Sequence, residues 1–418
     1  GSPPSVFPVF RAFQTRRGKK GGITRRKKGQ KKGLTMNIAI FGGSFDPVHS
    51  EHVNIVKAAA ERLNADKIIV VPAFIPPHKQ GKSLASAQDR LNMAKLAFAG
   101  IRGCEVSSYE INAGGTSYTV LTLAHFRQKY PDAHFYLLVG SDMLKDFYTW
   151  REPENILSMA ELVACNREGE KVSFRAEQLR FFARFKKTFR TLEYVGRDIS
   201  STRARVLCAF GEDLKPYLPA DVIDYIEANE LYRVERVKDA LRYLKPARRK
   251  HSLRVALTAA QEAAKYRLDE HAVIQAAALH DAAKNLDLSA PELAGFIPPE
   301  ENIPAPVLHQ YTGAYLAEHT FGVTDAAVLD AIRYHTSGRP NMGELEKLIF
   351  LSDMLEPGRD FPHIGKLREA FRRSLNECMY LSLRHELKYL KKGKGTIYPL
   401  TFRAYEYYKE LRSKSWNR

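Results

Sequence analysis

Apolar positions along the chain follow two rhythms, and the change comes near residue 234. Before it, short apolar runs alternate with helical stretches. The runs are MNIAIF (36–41), KIIVVPA (67–73), CEVSSYEI (104–111), HFYLLVG (134–140) and ELVACNR (161–167), and each reads as a strand. HVNIVKAAAERL (52–63), AQDRLNMAKLAF (87–98), SYTVLTLAHFRQKYP (117–131) and ADVIDYIEANELY (220–232) repeat apolar residues at three and four, the helical spacing. HFYLLVG is almost continuously apolar, as expected of a strand covered on both faces. Strand–helix alternation of this kind predicts a parallel sheet with helices on both sides.

After residue 234 the strand pattern ends. The stretches beginning at His251, Asp269, Ala305, Asp325 and Met342 all keep the three-and-four spacing, which predicts an all-helical second domain. VERVKDALRYLKPARR (234–249) joins the two, and its first half is itself helical in pattern. The expected division is 1–35, 36–233 and 234–418.

A length of 418 residues suits two domains better than one. No apolar run approaches the roughly eighteen residues of a membrane-spanning helix. The cysteines (104, 165, 208 and 378) form no C-x-x-C pair, which fits a reducing, cytoplasmic setting rather than a disulfide framework. Of the net charge of +18, eleven positive charges and no negative ones fall in residues 1–35, leaving +7 for the rest. That Gly-rich basic segment is expected to be disordered. It has no apolar core of a secretory signal. Met36, directly ahead of the first strand, reads as the natural start. Nucleic acid is an expected partner only through this basic extension.

The chemistry concentrates in two places. In the first, Gly42 and Gly43 close the first strand and His49 and His52 open the first long helix. Glycines there let the backbone turn tightly and approach a ligand, and the helix start offers N–H groups to phosphate. The spacing is neither that of a P-loop nor G-x-G-x-x-G. A second segment, DISSTRARVL (198–207), sets Ser200, Ser201 and Thr202 at a helix start, followed by Arg203 and Arg205. Hydroxyls cap a helix there, and with guanidinium groups they also suit an anion.

GGSFDPVHSEH resembles the G-G-[ST]-F-D-P-x-H-x-G-H signature of the nucleotidyltransferase superfamily, and ISSTRAR resembles its I-S-S-T-x-x-R. Together with VPAFIPPHK, GGTSYTVLTL, VGSDMLKDFYTW and VIDYIEANELY, residues 36–232 are similar to bacterial nicotinate mononucleotide adenylyltransferases. The resemblance implies a Rossmann-like α/β fold and attack by the 5′-phosphate of nicotinate mononucleotide on the α-phosphorus of Mg²⁺-bound ATP. It further implies that Gly42, Gly43, Ser44, His49 and His52 bind ATP phosphates, with His49, His52 and Arg205 in catalytic roles. Ser201, Thr202 and Arg205 are implied for the β- and γ-phosphates. Lys79, Thr119 and Trp150 are implied for the nicotinate nucleotide, and Gly140 and Asp142 for adenosine. Phe45 and Arg167 complete the implied nucleotide-binding set. Glu51 stands where the family has glycine. A carboxylate there repels a triphosphate unless it points away or meets Mg²⁺.

In the second place, His251, His280, Asp281, His309, His335 and Asp353 lie on successive helical stretches. Facing helices can build a metal site in a bundle, and six imidazole and carboxylate groups without thiolate suit two ions such as Fe or Mn. LHDAAKN, IRYHTSGRPNM and IFLSDMLEPGR resemble the HD-domain phosphohydrolases, the YqeK-type branch in particular. That resemblance implies that these six residues are metal ligands, with Asp281 catalytic. It implies phosphate contacts from Lys284, Arg339 and Arg359, and symmetrical hydrolysis of diadenosine tetraphosphate to two ADP. The expected chain is thus an α/β nucleotidyltransferase domain followed by an all-α HD domain. The alternatives are a nucleotidyltransferase for nicotinamide mononucleotide or pantetheine phosphate, or a basic nucleic-acid-binding protein. A homo-oligomer and the absence of a membrane partner complete the expectations.

Overall fold

The computed structural model describes residues 35–76, 85–167, 174–393 and 396–416. The basic segment, and Lys79 with it, lies outside the described residues.

Six strands form one parallel sheet: β1 (Asn37–Gly43), β2 (Lys67–Pro72), β3 (Cys104–Val106), β4 (His134–Gly140), β5 (Glu161–Arg167) and β6 (Arg190–Tyr194). Their spatial order is β3-β2-β1-β4-β5-β6. Ile38 and Ile40 of β1 point into one core with Ile69, Val71 and Leu137. Ala39 and Phe41 point into the other, with Val70 and Leu138. This period of two, apolar on both faces, is the expected signature of a doubly covered sheet.

Helices α1 (Ser50–Arg62), α2 (Ala87–Phe98), α3 (Tyr109–Ala113), α4 (Thr119–Lys129), α5 (Ser141–Leu144), α6 (Pro153–Met159), α7 (Phe174–Phe185), α8 (Ser201–Phe210) and α9 (Ala220–Ala228) follow in chain order. Side chains of α1, α2, α8 and α9 close one face. Those of α4, α6 and α7 close the other. The chain changes faces between β1 and β4, so the crevice at the carboxyl ends of these strands is the natural ligand site. Gly42, Gly43 and Gly140 end those two strands.

One expected element differs. The run 104–111 pairs as strand only over Cys104–Val106. The N–H of Tyr109 turns to Ser107 Oγ at 3.2 Å, and a short helix follows until Gly114 at φ +67°. Serine side chains offer the backbone a local partner, which ends the ladder of an edge strand.

Beyond residue 234 every described regular element is helical: α10 (Val237–Arg242), α11 (Pro246–Ala263), α12 (Glu270–Leu279), α13 (Ala305–His319), α14 (Ala326–Arg333), α15 (Glu344–Leu355), α16 (Ile364–Arg373), α17 (Leu375–Lys392) and α18 (Pro399–Trp416), with a 3₁₀ turn at Pro291–Leu293. Alanines on α11 and α12 (Ala256, Ala259, Ala260, Ala276, Ala277) let these helices pack closely. Helix α8 belongs to both halves. Its Ala204 and Leu207 face the sheet, whereas Val206, Ala209 and Phe210 are buried in the helical core. No helix among the described residues is long and apolar enough to cross a membrane.

Candidate functional site

The turn after β1 is held from beneath. Phe45 is fully buried at φ +50°, its ring edge-on to Phe41, Phe98 and His52. A Cβ at Gly43 would press on that ring at 3.0 Å, whereas one at Gly42 would meet nothing within 4 Å. Gly43 therefore answers to the core, and Gly42 leaves open space at the strand end. Phe45 can offer a ligand only its backbone, because its ring is core.

Arg90 is the residue whose role the pattern did not expose. Its guanidinium is buried, and it donates to the carbonyls of Ser44 (2.9 Å), Ala73 (2.6 Å), Phe74 (2.7 Å) and Ala85 (3.1 Å). It thereby staples the loop after β1 to the loop after β2. A charged residue on the apolar stripe of α2 was the available signal.

His49 caps α1 and is buried, which pushes its pKa down to about 3, so the ring is neutral near pH 7. The His52 ring stacks on it at 3.7 Å, and His52 Nδ1 accepts the backbone N–H of His49 at 3.2 Å. With Nδ1 accepting the backbone N–H, the ring proton sits on Nε2, the nitrogen that can donate to an anion. The Oγ of Ser201 donates to the Pro47 carbonyl at 3.1 Å, and Ser200 caps α8. The start of α8 and the start of α1 thus meet at one loop, 46–49.

Glu51 turns toward the segment that precedes α8. Its buried carboxylate accepts the N–H of Arg197 at 2.7 Å and lies against Gly196.

On the other side of the crevice, Ser117 Oγ accepts from Phe74 N at 2.9 Å and ties the start of α4 to the end of β2. The Arg151 guanidinium lies 4.8 Å from the Tyr118 ring, so Thr119 and Trp150 share a neighbourhood. The Trp150 ring is half-buried, 5.3 Å from Phe147. The side chains of Asp142 and Arg167 lie outside the described set.

The second constellation comes together completely. His251 (α11), His280 and Asp281 (end of α12), His309 (α13), His335 (after α14) and Asp353 (α15) form three overlapping groups whose ligand atoms lie within 4.8 Å of one another. Nδ1 of His251 meets Glu356 Oε1 at 3.1 Å, and Nδ1 of His280 and His335 meet the carbonyls of Ala277 and Ile332 at 2.7 Å each. Those outer acceptors leave the three Nε2 atoms facing inward. There His251 Nε2 lies 2.8 Å from Asp353, and His309 Nε2 lies 3.0 Å from His335 Nε2 and 3.2 Å from Asp281.

Acceptor nitrogens aimed at each other and at two carboxylates need a cation between them. This donor set, imidazole with carboxylate and braced from outside, fits a metal centre. Burial alone would raise Asp281, but the surrounding His280, His309 and His335 outweigh it and hold its carboxyl far below the usual range. Burial pushes His309 down to about 4.

Cationic side chains rim the cluster. Lys284 Nζ lies 3.3 Å from Asp281, and Arg359 donates to Asp353 at 2.7 Å. Arg248, one helical turn before His251, donates to Asp281 at 2.8 Å, and Arg254 holds Glu356 at 2.5 Å. Arg248, Arg254 and Glu356 escaped sequence reasoning because each acts through another residue. Arg339 behaves otherwise. Two 2.7 Å bonds clamp it to the buried Glu346, and it lies over the Tyr334 ring at 4.8 Å. A buried carboxylate requires such a partner, and among the described residues no hydrogen bond or ion pair joins Arg339 to the six candidate ligands.

Comparison with known proteins agrees with this two-part construction. The cytidylyltransferase-like family matches residues 40–206, and the HD domain family matches residues 248–358. A Mycoplasma genitalium protein named "Probable nicotinate-nucleotide adenylyltransferase/Ap4A hydrolase" is 30% identical over 333 residues, covering 78% of this chain and 89% of its own. Its namesake in Mycoplasma pneumoniae is 33% identical over 326 residues, covering 77% and 88%. A Clostridium tetani protein named "Probable nicotinate-nucleotide adenylyltransferase" is 36% identical over 198 residues, covering 47% of this chain and 98% of its own. The chain belongs to the family of bifunctional enzymes that join a cytidylyltransferase-like nucleotidyltransferase domain to an HD-domain hydrolase.

Proposed function

We propose that residues 36–233 adenylylate nicotinate mononucleotide to nicotinate adenine dinucleotide, and that residues 234–418 hydrolyse diadenosine tetraphosphate to two ADP in the cytoplasm. The observation that carries this reading is that one chain holds both a histidine pair at a glycine turn and a six-residue His/Asp cluster. A stacked His49–His52 pair, with His49 kept neutral by burial, stands at the mouth of β1, and six inward-facing candidate ligands meet in the helical core.

In the first domain no protein nucleophile is needed, because the attacking phosphate is already anionic. Positioning and charge stabilisation carry the rate. Gly42, Gly43 and Ser44 lead the ATP phosphates, with their Mg²⁺, to the start of α1. There Nε2–H of His52 donates to the α-phosphate oxygens as charge develops on them, with His49 beside it. Ser201, Thr202 and Arg205 take the departing β- and γ-phosphates. Gly140, Asp142 and Arg167 face the adenosine side, while Lys79, Thr119 and Trp150 take the nicotinate nucleotide, Trp150 stacking on the pyridine ring.

In the second domain His251, His280, Asp281, His309, His335 and Asp353 would hold two metal ions, Fe or Mn by donor type. When bound, these ions supply Lewis acidity and an activated water. Lys284 and Arg359, on the rim, bind the polyphosphate and offset its charge, and Arg248 keeps Asp281 aimed inward.

The test is a product assay on the full chain with ATP and either nicotinate or nicotinamide mononucleotide. Nicotinate adenine dinucleotide as the preferred product supports the reading. Preference for nicotinamide mononucleotide, or no dinucleotide, overturns it.

A further inference from the structure

Arg205 belongs to the nucleotidyltransferase half by its motif, yet its strongest partner comes from the other half. Glu270, the first residue of α12, accepts from Nε and Nη2 of Arg205 at 2.6 Å each. The pair is little exposed, with side-chain accessibilities of 11% and 21%. On its remaining edge Arg205 Nη1 donates to the Asp46 carbonyl at 2.5 Å. The other contacts there are long: Nη1 to Asp46 Oδ2 at 3.5 Å and Nη2 to Thr202 Oγ1 at 3.2 Å.

The guanidinium is planar and presents its donors as a rigid fork, so a bidentate carboxylate on one edge fixes the direction of the other. The edge that Glu270 fixes is not the edge that faces the phosphate turn. The far edge meets Asp46, three residues before His49, and Thr202 at the start of α8. Its two long contacts are the ones that an incoming phosphate oxygen can replace, while the 2.6 Å pair holds. The scaffold between the halves is packed, because Val206, Ala209 and Phe210 of α8 are buried in the helical core. The orientation of Glu270 toward Arg205 is therefore set by two sides of one interface.

We propose that Glu270, supplied by the hydrolase half, is a positioning residue of the adenylyl-transfer site. It orients Arg205 toward the β- and γ-phosphates and steadies the turn at Asp46. The HD domain is thus a structural part of the transferase site. The inference rests on the adenylyltransferase reading given above.

The test uses the full chain and the variants Glu270→Gln and Glu270→Asp. Wild-type protein must first form the dinucleotide from ATP and a pyridine mononucleotide, and its failure to do so removes the underlying reading and not this one alone. Given that activity, Glu270→Gln should lower kcat/KM for ATP about ten-fold, mostly through KM, with KM for the mononucleotide little changed. Glu270→Asp should recover part of the loss. Hydrolysis of diadenosine tetraphosphate by the same samples should stay at the wild-type level, which shows that the variants are folded. A lower KM for ATP in Glu270→Gln would mean that Glu270 competes with ATP for Arg205, and would overturn the proposal. Unchanged ATP kinetics would overturn it equally, leaving the pair as an interface bridge.

Discussion

His251 and Glu356 stand 105 positions apart, yet Nδ1 of one meets Oε1 of the other at 3.1 Å, and this contact aims the imidazole at Asp353. Glu356 is in turn held by Arg254 at 2.5 Å. A carboxylate behind a metal-binding imidazole fixes its tautomer and raises its basicity. Glu356→Gln keeps the shape but removes the charge, and should weaken metal binding by about 10- to 100-fold. Titration of chelator-treated protein with Mn²⁺ or Fe²⁺ measures it. Wild-type affinity in the variant would make Glu356 a partner of Arg254 only.

Metal content is the second expectation. Full-length protein purified without chelator should carry about two equivalents of metal. Asp281→Ala should lose hydrolysis and bind less metal, leaving Arg248 and Lys284 without their shared carboxylate. Less than one equivalent in the wild type, with no hydrolysis after Fe²⁺ or Mn²⁺ is added, would contradict the two-ion site.

Glu51 gives a third. Its carboxylate is engaged by the N–H of Arg197, so Glu51→Gly should leave ATP kinetics unchanged. It should cost about 1.5–3 kcal/mol of stability, since the Arg197 N–H loses a charged acceptor. Gly196→Ala should also destabilise, because the added methyl would press on the Glu51 carboxylate. In the double variant the clash is gone, so the two losses should add to less than their sum in denaturant unfolding. Tighter ATP binding by Glu51→Gly would place the carboxylate at the triphosphate instead.

A fourth concerns pH. Burial lowers His49 to about 3, below its ordinary value near 6.5. Between those values the unfolded chain binds a proton that the folded one refuses. Stability therefore falls as pH drops below about 6.5, by up to ~1.4 kcal/mol per pH unit from this one group. His49→Asn should flatten the acid limb of a stability-against-pH curve. An unaltered slope would mean that His49 titrates normally.

Much of this was legible in the sequence, for physical reasons. Strands β1, β2, β4 and β5 are apolar on both faces and announce themselves. The six candidate metal ligands are chemically distinctive residues within recognisable stretches, and the fold brings all of them together. Strand β6 was hidden because only Leu192 of its five residues is buried. Arg90, Arg248 and Glu356 were hidden because they act through backbone carbonyls or other side chains, which local patterns do not record. Arg205 illustrates the same limit. Its motif suggests phosphate, but nothing near it in sequence foretells a partner 65 residues away on another helix.

The central claim is that one chain carries two independent chemistries. It is tested most directly by assaying both reactions on the same preparations of wild type, His52→Ala and Asp281→Ala. Wild type should form nicotinate adenine dinucleotide and cleave diadenosine tetraphosphate to ADP. His52→Ala should lose only the first reaction, and Asp281→Ala only the second. A wild type lacking either product, or a single substitution that abolishes both, would contradict the account.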